Sequence, residues 1–346
     1  MTDLVQGQSY TIAYTKSAED DASRSFFKLH MRQATNQRTH AVHYFQMADQ
    51  KIARKIYNEF LAKEEIKFAI RTQHAESDWY THAPLIGIIH DTFSGGDDSR
   101  PVVEIHTLDK ASSKMLKNSR SEAVQSGGKI EDAIRAVCQK TGTKFRVVPP
   151  FDAQAIEEFK VLYQPGCSDW DFVAKYLTPR APIAAAVGLQ GGDTIMLFDR
   201  SKPNTDELAV PKGFAANVRT MDTLLDIYAR GGEEYSSHWV SPLDGKVHQF
   251  SNGSEPTTRQ VICHKYNKQE TARAVLTGRN MRKDIDDVQI VEILAGGIRP
   301  GKFVAPGVTI RGESPVGEGF LAGVDHLLED GSYKLTLIIE IFEDNN

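Results

Sequence analysis

The stretch from Val316 to Phe342, VGEGFLAGVDHLLEDGSYKLTLIIEIF, restricts the fold more than any other part of the chain. Two alternating apolar arms meet there at Asp330-Gly331. Asp-Gly between alternating runs favours a type I′ turn, whose two central residues need positive φ and whose twist matches that of paired strands. A β-hairpin is therefore expected. Side chains alternate across a strand, so Tyr333, Leu335, Leu337, Ile339 and Ile341 share one face, and Lys334, Thr336, Ile338, Glu340 and Phe342 share the other. The first set suits a core. The second is mixed, which marks half-buried sheet of a barrel or sandwich and makes Ile338 and Phe342 interface candidates.

Residues 1–118 read as strands with one helix. Ser9 to Tyr14, Ala41 to Met47, Ile66 to Thr72, Pro84 to Phe93 and Val102 to Leu108 are alternating or rich in β-branched residues, with Ser94-Gly95-Gly96-Asp97-Asp98 as turn chemistry between the last two. Strands at this spacing predict a barrel or sandwich. From Lys51 to Lys63, Ile52, Ala53, Ile56, Tyr57, Phe60 and Leu61 keep helical spacing, so a helix is expected to cover an open end of that barrel.

The texture changes over residues 119–215. Ile130, Ala133, Ile134 and Val137 form a helical stripe that ends at Gly142, the expected C′ glycine. A strand from Lys144 to Val148 follows, and Ser168 with Asp171 three residues on predicts the start of a second helix carrying Phe172, Val173, Tyr176 and Leu177 before Pro179. Ile195 to Phe198 reads as another strand. This stretch is expected to be a small α+β domain inserted between β modules.

Residues 216–346 return to strands: Thr257 to His264, Val288 to Leu294, Val304 to Ile310 and the closing hairpin, with 203–213 and 241–257 read as loops from their Pro, Gly, Ser, Asp and Asn content. The fold class is thus β-rich α+β, two β-barrels with an inserted α+β domain. At 346 residues, two or three domains are the expectation.

Composition excludes some roles. A formal net charge of −5 argues against a nucleic-acid grip, which needs a basic surface. Cys138, Cys167 and Cys263 lie far apart without a CxxC pair, so neither a disulfide framework nor a zinc knuckle is expected, and folding in a reducing cytoplasm fits. The first residues, MTDLVQGQSYTIAY, lack the basic and apolar segments of a signal peptide, and no apolar run reaches the roughly 18 residues of a spanning helix, so no membrane contact is expected.

Searches for chemistry return little. Gly188 to Asp193 lacks the Lys-Ser/Thr of a phosphate cradle and reads as a hairpin turn before Ile195. His40 and His43 fall on opposite faces of an expected strand, and His74, His82 and His90 form no metal-ligand pattern. Cys263 and His264 are adjacent on a strand and point apart, while Pro315 spoils a nucleophile elbow at Ser314. The carboxylate pairs Glu157 with Glu158 and Asp169 with Asp171 read as solvated faces or caps rather than as glycosidase acid and base. No catalytic, cofactor or metal residue is assigned. Trp79, Tyr80 and Trp239 sit beside polar neighbours in or near loops and are further interface candidates, whereas Trp170 is expected to pack within its own domain.

Two segments resemble the phage tail hub family, the late-control-D type baseplate hubs that also form the hub half of type VI secretion VgrG spike proteins. Leu162 to Leu177, LYQPGCSDWDFVAKYL, is similar to that family's Gln, Ser-Asp, Phe-Leu helix signature. Val324 to Glu340, VDHLLEDGSYKLTLIIE, is similar to its closing His, Gly-Gly-Tyr strand pair, and Ile130 to Gly142 matches a helix, Gly, strand module. The helix from Lys51 to Lys63 is longer than in the usual first barrel of the family. The resemblance implies two tail-tube-like barrels, 1–118 and 216–346, around an inserted domain, 119–215. It implies a homotrimer that presents six similar barrels, adapting a six-fold tail tube or distal tail protein to a three-fold central spike. No spike domain follows residue 346, so the spike is expected to be a separate protein. Baseplate wedge proteins would meet the insert, and tape-measure protein and genomic DNA would pass through an acidic lumen without binding. The implied location is the virion tail baseplate, assembled in the host cytoplasm. A β-rich hydrolase and a carbohydrate-binding module are the alternatives.

Overall fold

A computed structural model describes residues 8–14, 25–47, 50–74, 79–81, 85–97, 100–125, 129–151, 161–178, 184–188, 193–200, 207–210, 215–221, 234–240, 247–252, 258–261, 285–294, 304–312, 316–329 and 332–342. The first part of the chain contains β1 (Gln8–Tyr14), β2 (Phe26–Ala34), β3 (His40–Gln46), α1 (Gln50–Leu61), β4 (Glu65–His74), β5 (Trp79–Thr81), β6 (Leu85–Asp97), β7 (Arg100–Asp109) and α2 (Lys110–Leu116). Then come β8 (Ser119–Gln125), α3 (Ile130–Thr141), β9 (Lys144–Val147), β10 (Val161–Ser168), α4 (Asp169–Asp171), a π-helix (Phe172–Leu177), β11 (Ala184–Gly188), β12 (Thr194–Asp199) and β13 (Glu207–Val210). The last part holds β14 (Ala215–Met221), β15 (Glu234–Val240), β16 (Val247–Asn252), β17 (Thr258–Val261), β18 (Ile285–Leu294), β19 (Thr309–Gly312), β20 (Gly319–Glu329) and β21 (Ser332–Phe342). The protein is β-rich with few helices.

The main sheet runs β1-β4-β6-β7-β3-β2-β20-β21-β18-β14 as one path, with β5 on β4 and β19 and β13 attached beside β20. Early and late parts of the chain thus share a sheet. The seam is the antiparallel pair β2–β20, in register from Lys28 opposite Glu329 to Ala34 opposite Gly323. Among the described residues the path stays open, ending at β1 and β14, and no pairing closes a barrel in either half. One apolar core lines this sheet, drawing Leu29, Met31, Phe45 and Ile105 from the early strands and Val291, Leu321, Val324, Leu337 and Ile339 from the late ones. Helix α1 follows its apolar spacing: Ala53, Ile56 and Phe60 are buried, Phe60 stacks on Phe45 at 5.7 Å, and the helix packs on β6 and β7.

The closing hairpin has the expected faces. Tyr333, Leu335, Leu337 and Ile339 are buried in the core, and Glu329 pairs with Ser332 across Asp330 and Gly331, which lie outside the described residues. The other face is not left to solvent along its whole length. Phe320 and Ala322 meet Phe198 of β12, and Glu340 forms a two-contact ion pair with Arg200, one of whose bonds, Nε to Oε2, measures 2.9 Å.

A second core binds α2, β8, α3, β10, α4, the π-helix and β12, through Met115, Val124, Ile134, Val137, Leu162, Trp170, Phe172 and Leu197. Gly142 ends α3 at φ +64°, and Thr143 donates its N–H to Cys138 O at 2.9 Å. Ser168 caps α4 by accepting from Asp171 N–H at 3.1 Å.

Several expectations need correction. Residues 207–210 lie in the stretch read as loop, but Leu208 and Val210 are buried and β13 pairs in parallel with β19. Residues 247–252, also read as loop, form β16 against β15. Val304 to Val308 is not strand: Pro306 offers no N–H to a ladder and Gly307 takes φ +98°, so pairing starts at Thr309. The helix begun at Ser168 is α-helical for one short turn and continues as π-helix. Trp79 and Tyr80 stand on the three-residue β5, and Trp239 stands on β15. Strand β2 has no counterpart in the sequence reading.

Candidate functional site

The sheet's polar face is built by alternation. On β2, Leu29, Met31 and Gln33 point into the core, which turns Lys28, His30 and Arg32 outward; on β3, Ala41, His43 and Phe45 point in and His40, Val42 and Tyr44 out. Cross-strand partners then pair the charges. Lys28 Nζ lies 3.0 Å from Glu329 and over the Tyr44 ring, and Arg32 Nε lies 3.6 Å from Asp325. This seam therefore carries balanced charge on its outer side and apolar contact on its inner side.

Next to it, His40 and His106 meet across β3 and β7, with His40 Nε2 3.3 Å from His106 Nδ1. His106 Nε2 faces Glu104 Oε2 at 3.5 Å, and Phe93 packs edge-on to the His106 ring. Burial, then the neighbouring His106, His30 and His90, pull the His40 pKa below its usual value. On the core side, burial pushes His43 down to about 3, so it is neutral beneath the Phe68 ring. The expected opposite placement of His40 and His43 is what the strand produces. No local spacing sets the histidine group, because it depends on β2 and on the neighbouring of β3 with β7. A usable signal was present in Phe26 to Ala34, where Leu29, Met31 and Gln33 alternate with Lys28, His30 and Arg32.

The two signature segments turn out to be built into the fold. Gln164 donates to Cys167 O and to Asp169 Oδ1, both at 2.9 Å, and Arg120 Nε holds the other Asp169 oxygen at 3.0 Å. His326 Nδ1 and Tyr333 Oη are 2.7 Å apart between β20 and β21. Asp169 and Asp171 thus have structural partners: Asp171 joins Ser168 and Lys175, and Lys175 and then Ser168 hold its carboxyl below the usual range against its burial. Cys138 is buried, which pushes its thiol up to about 12.

The interface candidates occupy separate places. Trp79 and Tyr80 pair with Gln73 and Thr72 of β4, Trp239 pairs with His248 in a small sheet of β15, β16 and β17, and Phe342 ends β21 opposite Ile285. Ile338 is half-buried on the polar face opposite Gly323, near the point where a Cβ on that glycine would meet it at 3.1 Å. Glu157, Glu158, Cys263, His264, Ser314 and His82 lie outside the described residues. Among the described residues, no three metal-ligating side chains converge and no helix is long and apolar enough to cross a membrane.

No protein-family model matches the sequence, and no curated protein matches it. Solved structures do. The tail protein from Neisseria meningitidis MC58 is similar with a TM-score of 0.66 at 9% identity, over 97% of both chains. The 43 kDa tail protein of prophage MuSo2 from Shewanella oneidensis is similar with a TM-score of 0.65 at 11% identity, over 96% of this chain and 98% of that one. The E. coli c3393 protein, described as a type VI secretion component resembling T4 tail proteins gp27 and gp5, is similar with a TM-score of 0.53 at 11% identity, over 92% and 74%. At these identities the likeness is one of fold: the chain has the β-rich fold of phage tail proteins.

Proposed function

We propose that this chain is a structural component of a phage tail or related contractile injection machine, and within it a trimeric baseplate hub without enzymatic activity. The observation that carries the reading is the fold likeness to the Neisseria tail protein over 97% of both chains. An architectural protein needs extended surfaces for self-assembly, and the main sheet offers strand edges for them: among the described residues its path ends at β1 and β14. In this reading 1–118 and 216–346 are the two tube-like modules and 119–215 is the insert. Three copies then give six modules around an axis, matching a six-fold tube on one side and a three-fold spike on the other.

The polar face lines the lumen. Lys28 and Arg32 are paired with Glu329 and Asp325, so a passing polyanion or tape-measure protein meets little uncompensated positive charge. The insert lies outside and meets wedge or spike neighbours, and Trp79, Tyr80, Trp239, Ile338 and Phe342 contribute contacts at the interfaces. The location that follows is the virion tail, with assembly in the host cytoplasm. Light scattering on the purified chain tests the reading. A species of three times the 38.5 kDa chain mass is expected, and a stable monomer across the micromolar range contradicts it.

A further inference from the structure

The geometry points to a chelating site for a divalent transition-metal ion between His40 and His106, with Glu104 orienting His106 from behind. This inference does not depend on the tail reading. The two histidines stand on adjacent strands as diagonal neighbours, His40 opposite Leu108 and His106 opposite Val42, in a ladder unbroken from His40 to Gln46. The spacing of the facing nitrogens is 3.3 Å. Two bonds of about 2.0–2.1 Å spanning that distance enclose roughly 107°, close to tetrahedral.

The surroundings fit the same assignment. His106 Nε2 faces the Glu104 carboxylate at 3.5 Å, which leaves Nδ1 as the nitrogen turned toward His40. Phe93 walls one side of the His106 ring, at 5.1 Å between centroids. No third ligating side chain converges there among the described residues, so water completes the coordination. With metal bound, both facing nitrogens ligate, which puts the His40 proton on Nδ1. Imidazole pairs select Cu(II), Ni(II) and Zn(II) over Mg(II) and Ca(II), which prefer oxygen.

The test uses the full-length protein, stripped with a chelator and titrated at neutral pH with Cu(II) and with Zn(II) by calorimetry. One site per chain should bind more tightly than any other. H40Q and H106Q should each weaken it at least about tenfold, and E104Q by about tenfold. Electron paramagnetic resonance of the Cu(II) form should lose one coordinating nitrogen in either histidine variant. Persistence of the tightest site in H40Q or H106Q overturns the assignment, as does the absence of binding at micromolar metal. Should either variant misfold by circular dichroism, substoichiometric Cu(II) added to the unsubstituted protein decides. Imidazole NMR signals of His40 and His106 must broaden first, and earlier broadening of any other histidine overturns the site.

Discussion

The early and late strands are joined by backbone, whereas the body of the insert, residues 119–200, meets the late strands through side chains, with β13 beyond it laddering onto β19. Across β2–β20 the hydrogen-bond ladder fixes register residue by residue, and one core runs beneath both sides. The insert has its own core, and it meets the late strands through Phe198 against Phe320 and Ala322, the ring of Phe198 over Gly307, and Arg200 with Glu340. A ladder cannot shift without moving every side chain to the wrong face. A side-chain junction can be loosened one contact at a time. The sheet should therefore behave as a single mechanical unit and the insert as a separately stable body fastened to it.

Four outcomes break or sharpen that contrast. The largest is expected at the seam. Val324 is fully buried on β20, and Val324→Asp places an unpaired carboxylate in the shared core, at a cost of more than about 4 kcal/mol. Hydrogen exchange should show protection lost from both early and late strands while α3 stays protected. Loss on one side of the seam alone would break the single-unit account.

Glu340→Gln comes next. It leaves the Arg200 guanidinium buried without its counter-charge and should cost about 3 kcal/mol. Denaturant unfolding should then separate into two transitions, the insert loosening from the sheet. Retention of one transition with unchanged midpoint would show that the ion pair is not the fastening.

Acid should distinguish the two bodies as well. His43 must stay neutral in the folded sheet down to about 3, whereas the unfolded chain takes up the proton near 6.5. The unfolded state therefore binds more protons between those values, and sheet stability falls as the pH drops through 6.5, by at most about 1.4 kcal/mol per unit. Residues 119–215 contain no histidine. Its shifted carboxylates are held low: Glu122 by Lys140, and Asp193 by Lys114 and Lys144 against the opposing effect of its burial. Their contribution is present above the ordinary carboxylate values and is lost only as the pH falls below them. Circular dichroism against pH should show β signal weakening first, and simultaneous loss of helix and strand signals would contradict the contrast.

The smallest effect belongs to the insert alone. Ser168→Ala removes the cap on Asp171 N–H and should cost about 1 kcal/mol, seen as faster exchange in α4 with no change in β2–β20.

The comparison also separates what the sequence made legible from what it hid. The closing hairpin and α3 were readable because each carries a local signal: alternation around Asp330-Gly331, and a helical stripe ending at Gly142. The seam was not, because β2 presents Lys28, His30 and Arg32 outward and acquires its meaning only from β3 and β20 on either side. Glu207 to Val210 is bracketed by Pro203 and Pro211 and reads as loop, until pairing with a strand about a hundred residues later buries Leu208 and Val210. The histidine group was hidden for the same reason, since His40 and His106 are 66 residues apart and only strand order brings them together. Local chemistry predicts elements; long-range pairing decides faces and edges.

The most direct test of the architectural account is an electron cryomicroscopy reconstruction of the purified full-length chain. The account predicts a three-fold ring with six similar modules around its lumen, β1 and β14 at the contacts between copies and Lys28, His40 and Asp325 facing the channel. A ring in which those two edges remain free, or particles that are single chains, would contradict it.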